Sequence, residues 1–180
     1  HRDLHSFPTR RSSDLLGAVL VVAIAFGGCD AFFRDEPRMA EEAEAAAYFA
    51  RHPSVENVLA RGNVVEVHAV QSTEQLRRGG TLWAKVGPYI YLLSPSTRAL
   101  LEEHPGVAAV RVITVDDEGD EVARAMLRRD TLSDILWRRS LNLLGHALQH
   151  GTAQPSRLEE LVRWAEQHTE YEYSQKYVPR

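Results

Sequence analysis

The sequence predicts an α+β domain in which helices pack on an antiparallel sheet built from hairpins. Three observations predict it. Runs with a dry face alternate apolar and polar residues and come in pairs around turn residues. An Ala- and Glu-rich helical run precedes the first pair, and two helical runs with start signals follow the last.

Asp35-Glu36-Pro37 carries acidic residues and a proline suited to a helix start, and MAEEAEAAAYFARH continues the helix to His52, where Pro53 stops it. VENVLA and NVVEVHAV then flank Arg61-Gly62-Asn63, a hairpin turn. In the second strand Val65, Val67 and Ala69 alternate with Glu66 and His68, so one face is dry. QSTEQLRRGG reads as a loop, and TLWAKV and YIYLLS as a second hairpin around Gly87-Pro88. Ser94 or Ser96 caps a short helix ending at His104-Pro105. VAAVRVITV and EVARAML flank DDEGD, a third hairpin with Gly119 at its tip. Thr131 and Asp134 form a start of capping-box type for a long helix through His150, with Gly151 as its C-cap. Pro155 opens a last helix, which makes a C-terminal helical pair, and the tail EYEYSQKYVPR is polar and aromatic.

An internal repeat shows at an offset of 52 residues: YFARHPSVENV (48–58) against LLEEHPGVAAV (100–110), each followed by a hairpin. Two helix-plus-hairpin repeats are one reading of it. The other is chance, since His-Pro followed by a small residue and Val is an ordinary passage from helix to strand.

Composition bounds the function. The chain is 44% hydrophobic and 26% charged with a formal net charge of −4, and residues 29–180 hold 18 basic and 23 acidic side chains. An acidic domain gains nothing from a phosphate backbone, so nucleic acid is not an expected partner. One cysteine, Cys29, excludes an internal disulfide framework and any multi-cysteine zinc site.

The N-terminal region reads as targeting. Residues 1–15, HRDLHSFPTRRSSDL, resemble a translated sequencing adapter and are set apart from the fold. Residues 16–28 are the apolar and cleavage region of a signal peptide; the uncharged run LLGAVLVVAIAF, Leu15 to Phe26, is too short to cross a hydrocarbon core of ~30 Å at about 1.5 Å per residue. Gly27, Gly28 and Cys29 follow. FGGC resembles the lipobox of bacterial lipoproteins, with Phe26 where that family usually has Leu. The resemblance implies that Cys29 is diacylated and becomes the mature N-terminus, and that the chain meets the membrane through that lipid. Asp30 resembles the signal that retains such proteins at the inner membrane, facing the periplasm. Residues 29–36 are then anchor and short tether, with Phe32-Phe33 either dipping into the lipid interface or packing on the domain, and residues 37–180 form one α+β domain. Ala23-Ile24-Ala25 offers the rival cut, an A-x-A site after Ala25 that releases a soluble secreted binding domain.

Candidate chemistry is sparse. His146 and His150 lie four apart on one helix face and can chelate a metal with His168 or Glu166. The zinc-protease motif needs Glu after the first His, and Ala147 stands there. These residues support the enzyme alternative, a small metal-dependent periplasmic enzyme, but the reading taken here assigns no metal, no cofactor and no catalytic residue. His52 and His104 each occupy a helix end before Pro. Trp83, Tyr89 and Tyr91 read as core or sheet-face packing. Tyr171, Tyr173 and Tyr177 concentrate aromatic area in the tail, which is either a strip for a protein partner in the envelope or a clasp on its own domain. The expectation is a cell-envelope lipoprotein whose domain binds or scaffolds without catalysis.

Overall fold

A computed structural model describes residues 37–179. Signal region, Cys29, Asp30 and Phe32-Phe33 lie outside the described residues. The domain is α+β: a five-stranded mixed sheet with its helices packed on one face.

The first helix, α1 (Glu42–Phe49), starts later than the sequence suggests. Pro37 to Glu41 are not helical. The Arg38 carbonyl instead accepts the Gly106 N–H at 2.8 Å, and the Glu44 carboxylate turns back to accept the Glu41 N–H at 3.3 Å. The hairpin β1 (Val55–Arg61) and β2 (Val64–Val70) follows as expected, turning at Gly62 with φ +61°. Glu56 is an extra residue in its ladder, a bulge between Val55 and Asn57.

The largest correction comes next. TEQLRRGGTLWAKVGPYIYL is neither loop nor hairpin but helix, α2 (Thr73–Leu92), in two pieces joined at Gly80. Ser72 caps the first piece, its Oγ accepting the Gln75 N–H at 3.2 Å. Gly80 takes φ +57° and ψ −151°, a conformation open to glycine alone, and redirects the chain. The second piece is buried nearly all round, from Val86 to Tyr89 and from Tyr91 to Leu93, so it shows no polar face. Its β-branched and aromatic content and its Gly-Pro pair therefore looked like strands and a turn. Pro88 has no N–H for the Ala84 carbonyl one turn back, and Gln71 Nε2 donates to the neighbouring Trp83 carbonyl at 2.8 Å. Gly87 is needed there: a Cβ would stand 2.2 Å from the Gln71 Oε1.

That one misreading decided the topology. Short α3 (Pro95–Glu103), capped by Ser94, completes a two-helix crossover from β2 to β3 (Ala109–Val115). The crossover carries the chain back to the end where β2 began, so β2 and β3 pair in parallel, Val65 beside Val110 and Val67 beside Val112. β3 and β4 (Glu121–Arg128) form the expected hairpin around Gly119. A 3₁₀ turn, Arg129–Thr131, holds Thr131, and α4 (Asp134–His150) starts after Ser133 rather than at Thr131. Gly151 closes α4, and α5 (Pro155–Glu166) forms the helical pair with it. The tail supplies an unexpected fifth strand, β5 (Glu170–Tyr173), antiparallel to β4.

The sheet order is β1-β2-β3-β4-β5, with one parallel pair at its centre where an all-antiparallel sheet was expected. Both helix-then-hairpin units exist, α1-β1-β2 and α3-β3-β4. Their equivalent strands β1 and β3 run oppositely, because β2 is antiparallel to β1 and parallel to β3. Val58, Val65, Val67, Val110, Val112, Ala125 and Leu127 form the sheet's contribution to one core with Phe49, Tyr89, Leu100, Trp137 and Leu161 from the helices. Arg111, Ile113, Arg124 and Met126 line the other face, where Glu66 is 6% exposed. Burial alone would raise the Glu66 pKa, but His68 Nε2 at 2.9 Å and Arg111 Nη1 at 3.2 Å bond its carboxylate and hold it below the usual range.

Candidate functional site

Among the described residues no third ligand joins the His pair. His146 and His150 are exposed on α4 with ring centroids 6.3 Å apart and planes 24° from parallel. His168 instead stacks on Trp164 at 4.1 Å, its Nδ1 2.8 Å from the Trp164 carbonyl. Glu166 faces Lys85 and Tyr173. Among the described residues, three metal-type ligands converge at Asp116, Glu118 and Asp120 instead. A cation is already there: Lys176 Nζ lies 3.1, 4.0 and 2.7 Å from their carboxylates.

Lys176 belongs to the tail, and the tail is docked. Asp116 begins the β3–β4 turn, and its Oδ1 accepts the N–H of Glu118 at 3.0 Å and of Asp120 at 2.8 Å. Its Oδ2 accepts from Tyr177 Oη and Lys176. The Tyr177 hydroxyl, with those N–H groups and the ammonium, outweighs burial and holds the Asp116 carboxyl well below the usual carboxylate range. Tyr177 and Val178 also pack against Leu76, Ala84 and Val122. Tyr173 pairs with Ala123, and its hydroxyl lies 2.6 Å from Tyr89 Oη and donates to Glu166 Oε1 at 3.0 Å. Lys85 Nζ reaches the same carboxylate at 3.2 Å and sits 5.0 Å over the Tyr173 ring. Burial pushes both phenols far up, which keeps them protonated near neutral pH. Tyr171 alone of the three tail tyrosines is exposed, at 47%.

At the opposite edge of the sheet lies an apolar groove of about 650 Å³ between α1 and β1. Its floor is Phe49 and Val58, 1% and 5% exposed, and its walls include Val55, Ala43, Ala46 and Ala50. The three alanines recur at i, i+3 and i+7, so they share one stripe of α1, while Ala45 and Phe49 face the core. Small side chains on that stripe are what leave the groove open. Glu42 and Glu56 are its only acidic or basic lining residues besides His52. Sequence reading passed over this site because alanine signals helix more strongly than it signals space.

A smaller hollow, about 360 Å³, holds Tyr48, Glu103 and His104. Tyr48 Oη donates to Glu103 Oε2 at 2.7 Å and lies 3.2 Å from Nε2 of His104, which is 2% exposed. Burial, then the Glu103 carboxylate, pushes the Tyr48 phenol up to about 12. His104 closes α3, and Arg129 caps that helix end by donating to the carbonyls of Leu101, His104 and Val107. The cluster ties α1 to α3. His52, the matching residue of the first unit, packs between Phe49 and Tyr91 at 6.4 and 5.5 Å.

Neither a family model, nor a curated protein, nor a solved structure matches this chain.

Proposed function

We propose that this chain is a bacterial cell-envelope lipoprotein whose domain binds or scaffolds a protein partner at the periplasmic face of the inner membrane. The observation that carries the binding part is the sheet edge at β1, which borders an apolar groove left unfilled among the described residues. A seven-residue edge strand flanked by apolar surface is a template on which another chain can pair. The anchoring part rests on the sequence alone: the short apolar run, Gly27-Gly28, and a lone thiol with no partner in the chain.

Two measurements test it. Expressed in a bacterium with Met and two lysines placed before residue 16, the chain should give a membrane-bound protein whose N-terminus is acylated Cys29. Cys29→Ser should block that processing, and an intact mass beginning at unmodified Phe26 would refute the anchor. For binding, a photo-crosslinking residue placed at Ala50 should capture a protein in intact cells, and Ala50 crosslinking to nothing would refute the site.

A further inference from the structure

The α1–β1 groove has a shape and a charge that specify its occupant. Among the described residues β1 stands at the end of the sheet with no strand on its outer side, and of the groups there the Val55 N–H is taken by the His52 carbonyl at 3.0 Å. The groove borders β1. Strand and helix differ in reach: seven strand residues extend about 23 Å, eight helix residues about 12 Å. Only the first half of β1, Val55 to Val58, therefore lines the groove. That span accommodates about four residues of an added strand, of which two direct side chains toward α1. The alanine stripe leaves room there for apolar side chains.

Charge fixes the flanks. Glu42 stands at the first turn of α1 and Glu56 is the bulge residue, both exposed, with no Lys or Arg among the lining residues. A bulge re-aims a side chain, and here it brings a carboxylate to the rim where the strand would otherwise offer a ladder position. The opposite edge shows the contrast, since β5 is four residues long and carries Glu170 and Glu172.

We propose that β1 takes up an extended segment of a partner protein as a sixth strand. Two alternate apolar side chains of that segment fill the α1 groove, and Lys or Arg on either side meets Glu42 and Glu56. Backbone bonds give the affinity, and the groove and the two carboxylates give the choice of partner. This inference rests on the binding reading above and adds to it the mode and the chemistry of the partner.

The test uses the full-length ¹⁵N-labelled chain and a blocked peptide, acetyl-KTVTVK-amide. Titration should shift the amide signals of residues 43–50 and 55–59. Methylating the peptide's backbone nitrogens on one edge removes its ladder donors and should weaken binding about tenfold, as should Glu42→Lys with Glu56→Lys. Ala50→Tyr, at an exposed position, should abolish the shifts with melting unchanged. Binding indifferent to methylation would overturn strand addition while the groove reading stands. Shifts confined to the uncovered sheet face would overturn the site. A dimer in sedimentation that Ala50→Tyr dissolves would make a second copy the occupant and overturn the proposal. An Ala50 crosslink in cells together with no response to the peptide would sink this inference alone; absence of both would sink the binding reading as well.

Discussion

The two edges of the sheet solve one physical problem in opposite ways. β5 is short, acidic, and fastened from behind by Tyr89, Tyr173, Glu166 and Lys85, while the residues after it are pinned by Asp116. β1 is nearly twice as long and lies beside a groove whose walls are alanines. At β5, α2 and α5 hold Tyr173 from behind and the β3–β4 turn pins the residues after the strand, so this end of the sheet is fastened to the fold. At β1 the nearest helix withholds its side chains. One edge strand is fastened by side chains, and the other, among the described residues, is not.

That contrast is breakable by mutation, and the largest effect should come from the fastened side. Deleting residues 171–180 removes most of β5 along with Lys176, Tyr177 and Val178, and should cost about 3 kcal/mol or more, roughly 10 °C in Tm for a domain of this size. Thermal denaturation followed by circular dichroism decides it, and an unchanged transition would show that the tail fastens nothing. Asp116→Asn should cost about 2 kcal/mol, because a buried carboxylate with four donors loses its charge. Its pH dependence has a definite sign. The native pKa is depressed, so the stabilisation is complete above the unfolded value of about 4 and is lost as pH falls below it toward the native one. Urea titrations at pH 6 and at pH 3 should therefore find wild type and variant converging at the lower pH.

A smaller loss, about 1 kcal/mol, should follow Tyr173→Phe, which leaves Tyr89 and Glu166 without their shared partner. Smallest of all is the open side. Ala50→Tyr should move stability by under ~0.5 kcal/mol, as exposed substitutions usually do, while filling the groove. If it lowers Tm as much as Tyr173→Phe does, the α1–β1 edge is structural rather than free.

Much of the fold could be read from residue order. The β1–β2 and β3–β4 hairpins, α3, α4 and α5 all lie where alternation, caps and turn residues put them, because those signals act within a few residues. α2 could not be read this way. Tyr89, Leu92 and Leu93 are buried on every side by other elements, and a segment with no exposed face has no periodicity to show. The site was less legible still. Asp116 looked like an ordinary turn residue, and its role depends on Lys176 and Tyr177, sixty residues away in sequence. Ala43, Ala46 and Ala50 mean space only once β1 is seen to lie beside them.

By itself the sequence determined the α+β class, the two helix-plus-hairpin units and the C-terminal helical pair. Local sterics and hydrogen bonding suffice for such features. Only the tertiary structure decided that β2 and β3 run parallel, that the tail is a strand, and which sheet edge is fastened. Each of those depends on contacts between residues far apart in the chain, above all the burial of α2, and no local pattern encodes where a distant segment comes to rest.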